Sequence, residues 1–85
     1  MSNSQITMYS ADWCGDCVRS ERLLNELKVA YTIIDVENDL LAAEKVREIN
    51  GGAQTIPVIV FADGTHLTEP ADKDLKAKLA ALNLI

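Results

Sequence analysis

Residues 10–24, "SADWCGDCVRSERLL", decide how this chain is read, because the residue pattern changes within them. From Cys14 onward, Cys17, Ser20, Leu23, Leu24 and Leu27 recur at steps of three and four. That is one face of a helix, with Arg19, Glu21, Arg22 and Glu26 turned outward. Just before it, residues 5–9, "QITMY", form a short, mostly apolar run that reads as a buried strand. Between the two lies "ADWCGD", a loop in which Asp12 can cap the helix. The chain's only two cysteines, Cys14 and Cys17, sit where the strand gives way to the helix.

Residues 30–36, "AYTIIDV", are rich in branched and aromatic side chains and predict a second strand. Asn38 or Asp39 can cap a second helix over residues 40–49, with Leu41, Val46 and Ile49 inward and "NGG" at 50–52 as its stop. "TIPVIVF" at 55–61 predicts a third strand opened by proline. Asp63-Gly64 marks a tight hairpin, so His66 and Leu67 begin an antiparallel fourth strand. Pro70 opens a last helix with Leu75, Leu79 and Leu82 at helical spacing and Lys73, Lys76 and Lys78 on its solvated face. A crossover helix between the first two strands makes them parallel. The expected architecture is α/β: a four-stranded mixed sheet with three helices on its two faces.

Composition narrows the function classes. Eighty-five residues make one domain, residues 1–85, with 48% hydrophobic and 25% charged residues, the balance of a folded chain. A net charge of −5 supplies no basic patch for sequence-independent binding of nucleic acid or anionic lipid, so neither is an expected partner. No apolar run approaches the ~20 residues that span a bilayer. The first ten residues lack the features of a secretory signal. The expectation is a cytoplasmic monomer, and in a reducing compartment a close cysteine pair is more often catalytic or metal-binding than structural.

The placement of the pair argues for thiol chemistry. Cys14 falls at the first turn of the helix, where backbone N–H groups lack helical partners and the dipole favours a thiolate, the reactive form. Cys17 lies on the apolar face and is expected to be shielded and less ionised. The exposed sulfur attacks and the buried one later displaces it. Gly15 leaves the first sulfur uncovered. Asp16 and Asp12 oppose a thiolate through like charge, and Arg19 and Arg22 can offset them. A structural zinc site needs four ligands, whereas one pair and the single His66 are all the chain offers. A permanent disulfide would staple a loop too short to stabilise much. Proline at position 57 reads as a strand start, or as a cis peptide that brings the Ile56 backbone beside the cysteines to meet an extended substrate. Gln54 and Thr55 precede it and are candidates to touch a bound thiol.

With "WCGDC" after the first strand and "TIPVIVF" opening the third, nearly the whole chain resembles the glutaredoxins of the thioredoxin superfamily. Within that group, residues 49–82 look most like the mycoredoxins, small actinobacterial glutaredoxins that work with the thiol mycothiol. The resemblance implies a thioredoxin-like (glutaredoxin) fold, Cys14 as nucleophile, Cys17 as resolving cysteine and a cis Pro57. It also implies Ile56 as the backbone that holds the thiol, with Tyr9 and Trp13 flanking the sulfur and Thr55 beside it. The implied activity is reduction of protein–mycothiol mixed disulfides and of protein disulfides. Electrons would come through a separate mycothiol or thioredoxin reductase. No metal is implied, and no nucleotide, since no Gly-rich turn follows a strand. Two departures stand out. Glu69-Pro70 replaces the glycine pair that glutathione-using members carry after the fourth strand, and Asp16 stands where many have tyrosine. Two alternatives remain: a dithiol donor to a ribonucleotide reductase, recharged by thioredoxin reductase, and an iron–sulfur cluster shared between two chains.

Overall fold

Side-chain alternation along the two central strands divides the core in two, and that division positions the cysteines. The computed structural model describes residues 6–85, so the expected strand residue Gln5 lies outside the described residues. The elements run β1 (Ile6–Ser10), α1 (Gly15–Glu26), β2 (Thr32–Asp35), α2 (Leu40–Ile49), β3 (Val58–Phe61), β4 (His66–Thr68) and α3 (Asp72–Ala81). The sheet order is β2-β1-β3-β4. β1 pairs parallel with β2, Met8 opposite Ile33, and antiparallel with β3, Met8 opposite Ile59; β3 and β4 form the hairpin. This is the mixed sheet expected from the order of the elements. No helix among the described residues is long and apolar enough to cross a membrane.

On one face of the sheet Ile6, Met8, Ile59 and Phe61 meet Leu23 and Leu24 of α1 and Leu75 and Leu79 of α3. Alternate residues, Val58 and the half-buried Tyr9 and Val60, face the other way and join Val46 of α2, Ala11, Ile56 and both cysteines. Each fully buried large side chain contributes about 1.5–3 kcal/mol to folding. The cysteines therefore belong to the smaller of two cores, at the end of the sheet where α1 begins.

Several boundaries differ from the sequence expectation. β2 is shorter than residues 30–36: it pairs with β1 only from Thr32 opposite Thr7 to Asp35 opposite Ser10, and the chain reaches it from α1 through Lys28 in the left-handed region (φ 58), with the Val29 N–H donating to the Leu24 carbonyl. β3 begins at Val58, after a proline that has no N–H for the ladder. Asp39, not Asn38, caps α2: its Oδ1 accepts from the Ala42 N–H at 3.1 Å, while Asn38 donates to Asp35. Leu41, expected inward, is 78% exposed, because α2 buries the row Ala42 and Val46, which leaves position 41 about 100° off that face. α2 ends as expected, with Gly51 at φ 71 after Asn50. α3 starts at Asp72, two residues after Pro70, with Asp72 and Asp74 in its first turn. Lys78, expected on the solvated face, is half-buried; it pairs with Asp63 at 3.9 Å and lies 5.5 Å from the Phe61 ring centre, tying α3 to the hairpin.

One group in the helix core is poorly served. Ser20 is fully buried and its hydroxyl has no partner among the described residues. Replacing a buried unsatisfied hydroxyl by a methyl removes a desolvation cost. Ser20→Ala is expected to stabilise the protein by about 1 kcal/mol and to raise the melting midpoint by about 5 °C. A melt followed by circular dichroism checks this; an unchanged or lower midpoint would show that the hydroxyl finds a partner in solution.

Candidate active site

The end of β1, the start of α1 and the loop before β3 converge on Cys14. Helix α1 is capped by Cys14 itself rather than by Asp12: Cys14 is extended (φ −90, ψ 110), and its Sγ accepts from the Cys17 N–H at 3.1 Å. An orphan amide of the helix start therefore points at the sulfur, an arrangement suited to negative charge there. The Cys14 thiol in turn donates to the Ile56 carbonyl at 3.9 Å. Both cysteines are free thiols. Cys17 is fully buried. Burial, reinforced by the hydrogen bond with Cys14, pushes its thiol up to about 12, so it stays protonated at neutral pH.

Cys14 is more covered than the sequence suggested, at 7% exposure. It is reached through an open cleft of about 480 Å³ lined by Trp13, Gly15, Asp16, Thr55, Ile56 and Glu69. A Cβ built on Gly15 would touch nothing within 4 Å, so the glycine is not demanded by the protein's own packing; it leaves room beside the sulfur for a partner. A second cavity of about 200 Å³ adjoins the first and shares Trp13, Gln54 and Ile56 with it; Val36, Glu37, Ala43 and Val46 form its other walls. Gln54 lines both.

The Ile56-Pro57 peptide is cis. The loop that carries it is held from two sides. Asn50 donates to the Thr55 carbonyl at 2.9 Å and accepts from the Thr68 hydroxyl at 2.7 Å. The Glu69 N–H donates to the Pro57 carbonyl at 2.9 Å. Glu69 adopts the left-handed region (φ 47), which glycine tolerates far better than glutamate. The Asp16 carboxylate is not free to act on the sulfur alone. It pairs with Arg19 at 3.1 Å, and Arg19 also reaches Asp72 at 3.6 Å and the Pro70 carbonyl at 3.3 Å.

The expected site residues divide as follows. Trp13, Cys14, Thr55 and Ile56 are brought together around the cleft, and Pro57, next in the chain, is fully buried. Trp13 is 68% exposed, and its indole N–H donates to the Glu37 carboxylate. Tyr9 packs against the same core as the cysteines, yet it lines a separate cavity with Lys45, Ile49 and His66 rather than the cleft at the sulfur. His66 is exposed on β4. Two site residues escaped sequence reasoning. Asn50 reads only as a helix stop, and nothing near Glu37 in the chain marks it as a partner for Trp13. Among the described residues no group of three or more His, Cys, Asp or Glu side chains is placed to hold a metal ion.

Comparison with known proteins adds an independent line. The glutaredoxin family model matches residues 6–67. A Mycobacterium tuberculosis protein named as a glutaredoxin is 40% identical over 82 residues, covering 96% of this chain and 98% of that one. Mycoredoxin 1 of Corynebacterium glutamicum is 39% identical over 80 residues, covering 93% and 98%. Among solved structures, a glutaredoxin from Archaeoglobus fulgidus superposes with a TM-score of 0.75 at 26% identity, covering 87% of this chain and 84% of that one.

Proposed function

Because this chain belongs to the glutaredoxin family and is a thiol–disulfide oxidoreductase, we propose that it reduces mixed disulfides between proteins and mycothiol through Cys14 and Cys17. The observation that carries this reading is the contrast between the two sulfurs. Cys14 sits at the floor of an open cleft and receives the Cys17 N–H, whereas Cys17 is buried and protonated. Mycothiol as the small thiol is supported by the relative named Mycoredoxin 1 and by Glu69-Pro70 in place of the glycine pair of glutathione-using members.

In this reading the Cys14 thiolate attacks the mycothiol sulfur of the mixed disulfide. A Cys14–mycothiol disulfide forms, and the protein substrate leaves as its thiolate. A second mycothiol then attacks that disulfide and releases the enzyme. Alternatively Cys17 loses its proton and attacks Cys14, closing the Cys14–Cys17 bond and expelling mycothiol. Ile56 offers its backbone to the bound thiol, Pro57 sets the turn that presents it, and Trp13 and Thr55 wall the sulfur. Tyr9 packs against the core that holds both cysteines. The protein acts as a single domain in the cytoplasm on mycothiolated or disulfide-bonded proteins, with a separate reductase upstream.

Two measurements test the proposal. Turnover with mycothiol and glutathione mixed disulfides, side by side, is expected to favour mycothiol; equal rates would remove the cofactor assignment. Cys17→Ser is expected to retain release of mycothiol from a mixed disulfide, since a second mycothiol can clear Cys14. Complete loss would point instead to an obligatory dithiol donor of the ribonucleotide reductase kind.

A further inference from the structure

We propose that the carboxylates of Glu37 and Glu69 sort incoming disulfides by charge, favouring neutral and cationic ones over anionic ones. The inference rests on the reading of Cys14 as the attacking sulfur and specifies which thiols can reach it.

The charge inventory around the sulfur is one-sided. No Lys, Arg or His lines the cleft at Cys14 or the cavity beside it, while Asp16 and Glu69 line the first and Glu37 the second. The nearby cation, Arg19, is engaged by Asp16 and Asp72. Glu37 and Glu69 form no ion pair among the described residues. They are placed differently. Glu37 is held by the Trp13 indole N–H, and the Glu69 backbone is fixed by its bond to the Pro57 carbonyl. The chain's net charge of −5 adds to the same field. A thiol carrying two carboxylates and one ammonium group, as glutathione does, meets repulsion in the cleft at the sulfur and in the cavity that adjoins it. One whose polar groups are hydroxyls does not, and Glu37 and Gln54 can accept from those hydroxyls. Because both carboxylates are exposed, the effect is screened by salt.

The test uses the reduced full chain in single turnover with three symmetric disulfides: cystamine (a dication), bis(2-hydroxyethyl) disulfide (neutral) and 3,3′-dithiodipropionate (a dianion). In each case the Cys14 thiolate attacks one sulfur and releases one small thiolate. Cys17, after giving up its proton to solvent, closes the Cys14–Cys17 disulfide and releases the second. The dithiol supplies both electrons. Rates are expressed relative to the neutral probe in the same protein, which removes any change in the reactivity of Cys14 itself. In the Glu37→Gln, Glu69→Gln double variant the dianion's relative rate is expected to rise at least about fivefold and the dication's to fall by a similar factor. In the unmodified protein the same ratios should converge as salt is raised to about 0.5 M. Relative rates that stay the same in the double variant, or that ignore salt, overturn the proposal. Failure of the underlying reading looks different: Cys14→Ser would then still reduce the neutral probe.

Discussion

Replacing Cys14 with serine is expected to lower mixed-disulfide turnover by at least about three orders of magnitude, because a serine hydroxyl is not ionised near neutral pH and makes no disulfide. The loss can be separated from unfolding. Serine is among the preferred N-cap residues, and its hydroxyl oxygen can accept the Cys17 N–H that the sulfur now accepts. The variant should therefore melt at or above the temperature of the reduced parent. Steady-state turnover and a thermal melt of the same sample decide the matter. A variant that keeps more than a tenth of the activity removes Cys14 from the role of nucleophile.

The second large effect concerns Cys17. Its thiol is raised from 9.0 to about 12, first by burial and next by its bond to Cys14. At pH 7 the ionised fraction is then about a thousandfold below that of an ordinary thiol. Iodoacetamide at pH 7 is expected to label Cys14 alone, with Cys17 slower than a free cysteine by about that factor. Mass spectrometry of the alkylated, digested protein reads this directly, and comparable labelling of both cysteines would refute it. The sign carries through to stability. The native protein keeps a proton on Cys17 that the unfolded chain gives up above pH 9.0, so the contribution is whole below that pH and is lost as pH climbs toward 12. The reduced protein should lose stability over that range, and Cys17→Ala should lose less. Closure of the Cys14–Cys17 bond should quicken about tenfold per pH unit between pH 7 and 9, because it waits for the Cys17 thiolate.

These properties also explain why a chain with only two cysteines places them at one helix start. One position exposes a sulfur to a cleft and to an orphan amide; the other, a turn further on, buries its partner in the core. The two behave differently because the helix turns them toward different surroundings.

Element order, the two faces of α1 and the stop at Asn50-Gly51 were legible along the chain because they arise between near neighbours. Helix periodicity joins residues three or four apart, strand alternation joins residues two apart, and caps act within a turn. Cys14 and Cys17 could be found for the same reason. Contacts between distant segments could not. Cys14 meets the Ile56 carbonyl 42 residues away, and Trp13 meets Glu37 24 residues away. Asn50 holds Thr68 from 18 residues off and so fixes the loop of Ile56. Leu41 shows how apolarity alone misleads: it lies five residues before Val46, off the row that Ala42, Val46 and Ile49 make at steps of four and three, and so stays outside although it is more apolar than Ala42. The amino-acid order thus settled which elements form and where the thiols lie. Only the folded chain decided what surrounds the Cys14 sulfur and which charged side chains line the cavities beside it, because those depend on the docking of segments whose separation leaves no local trace.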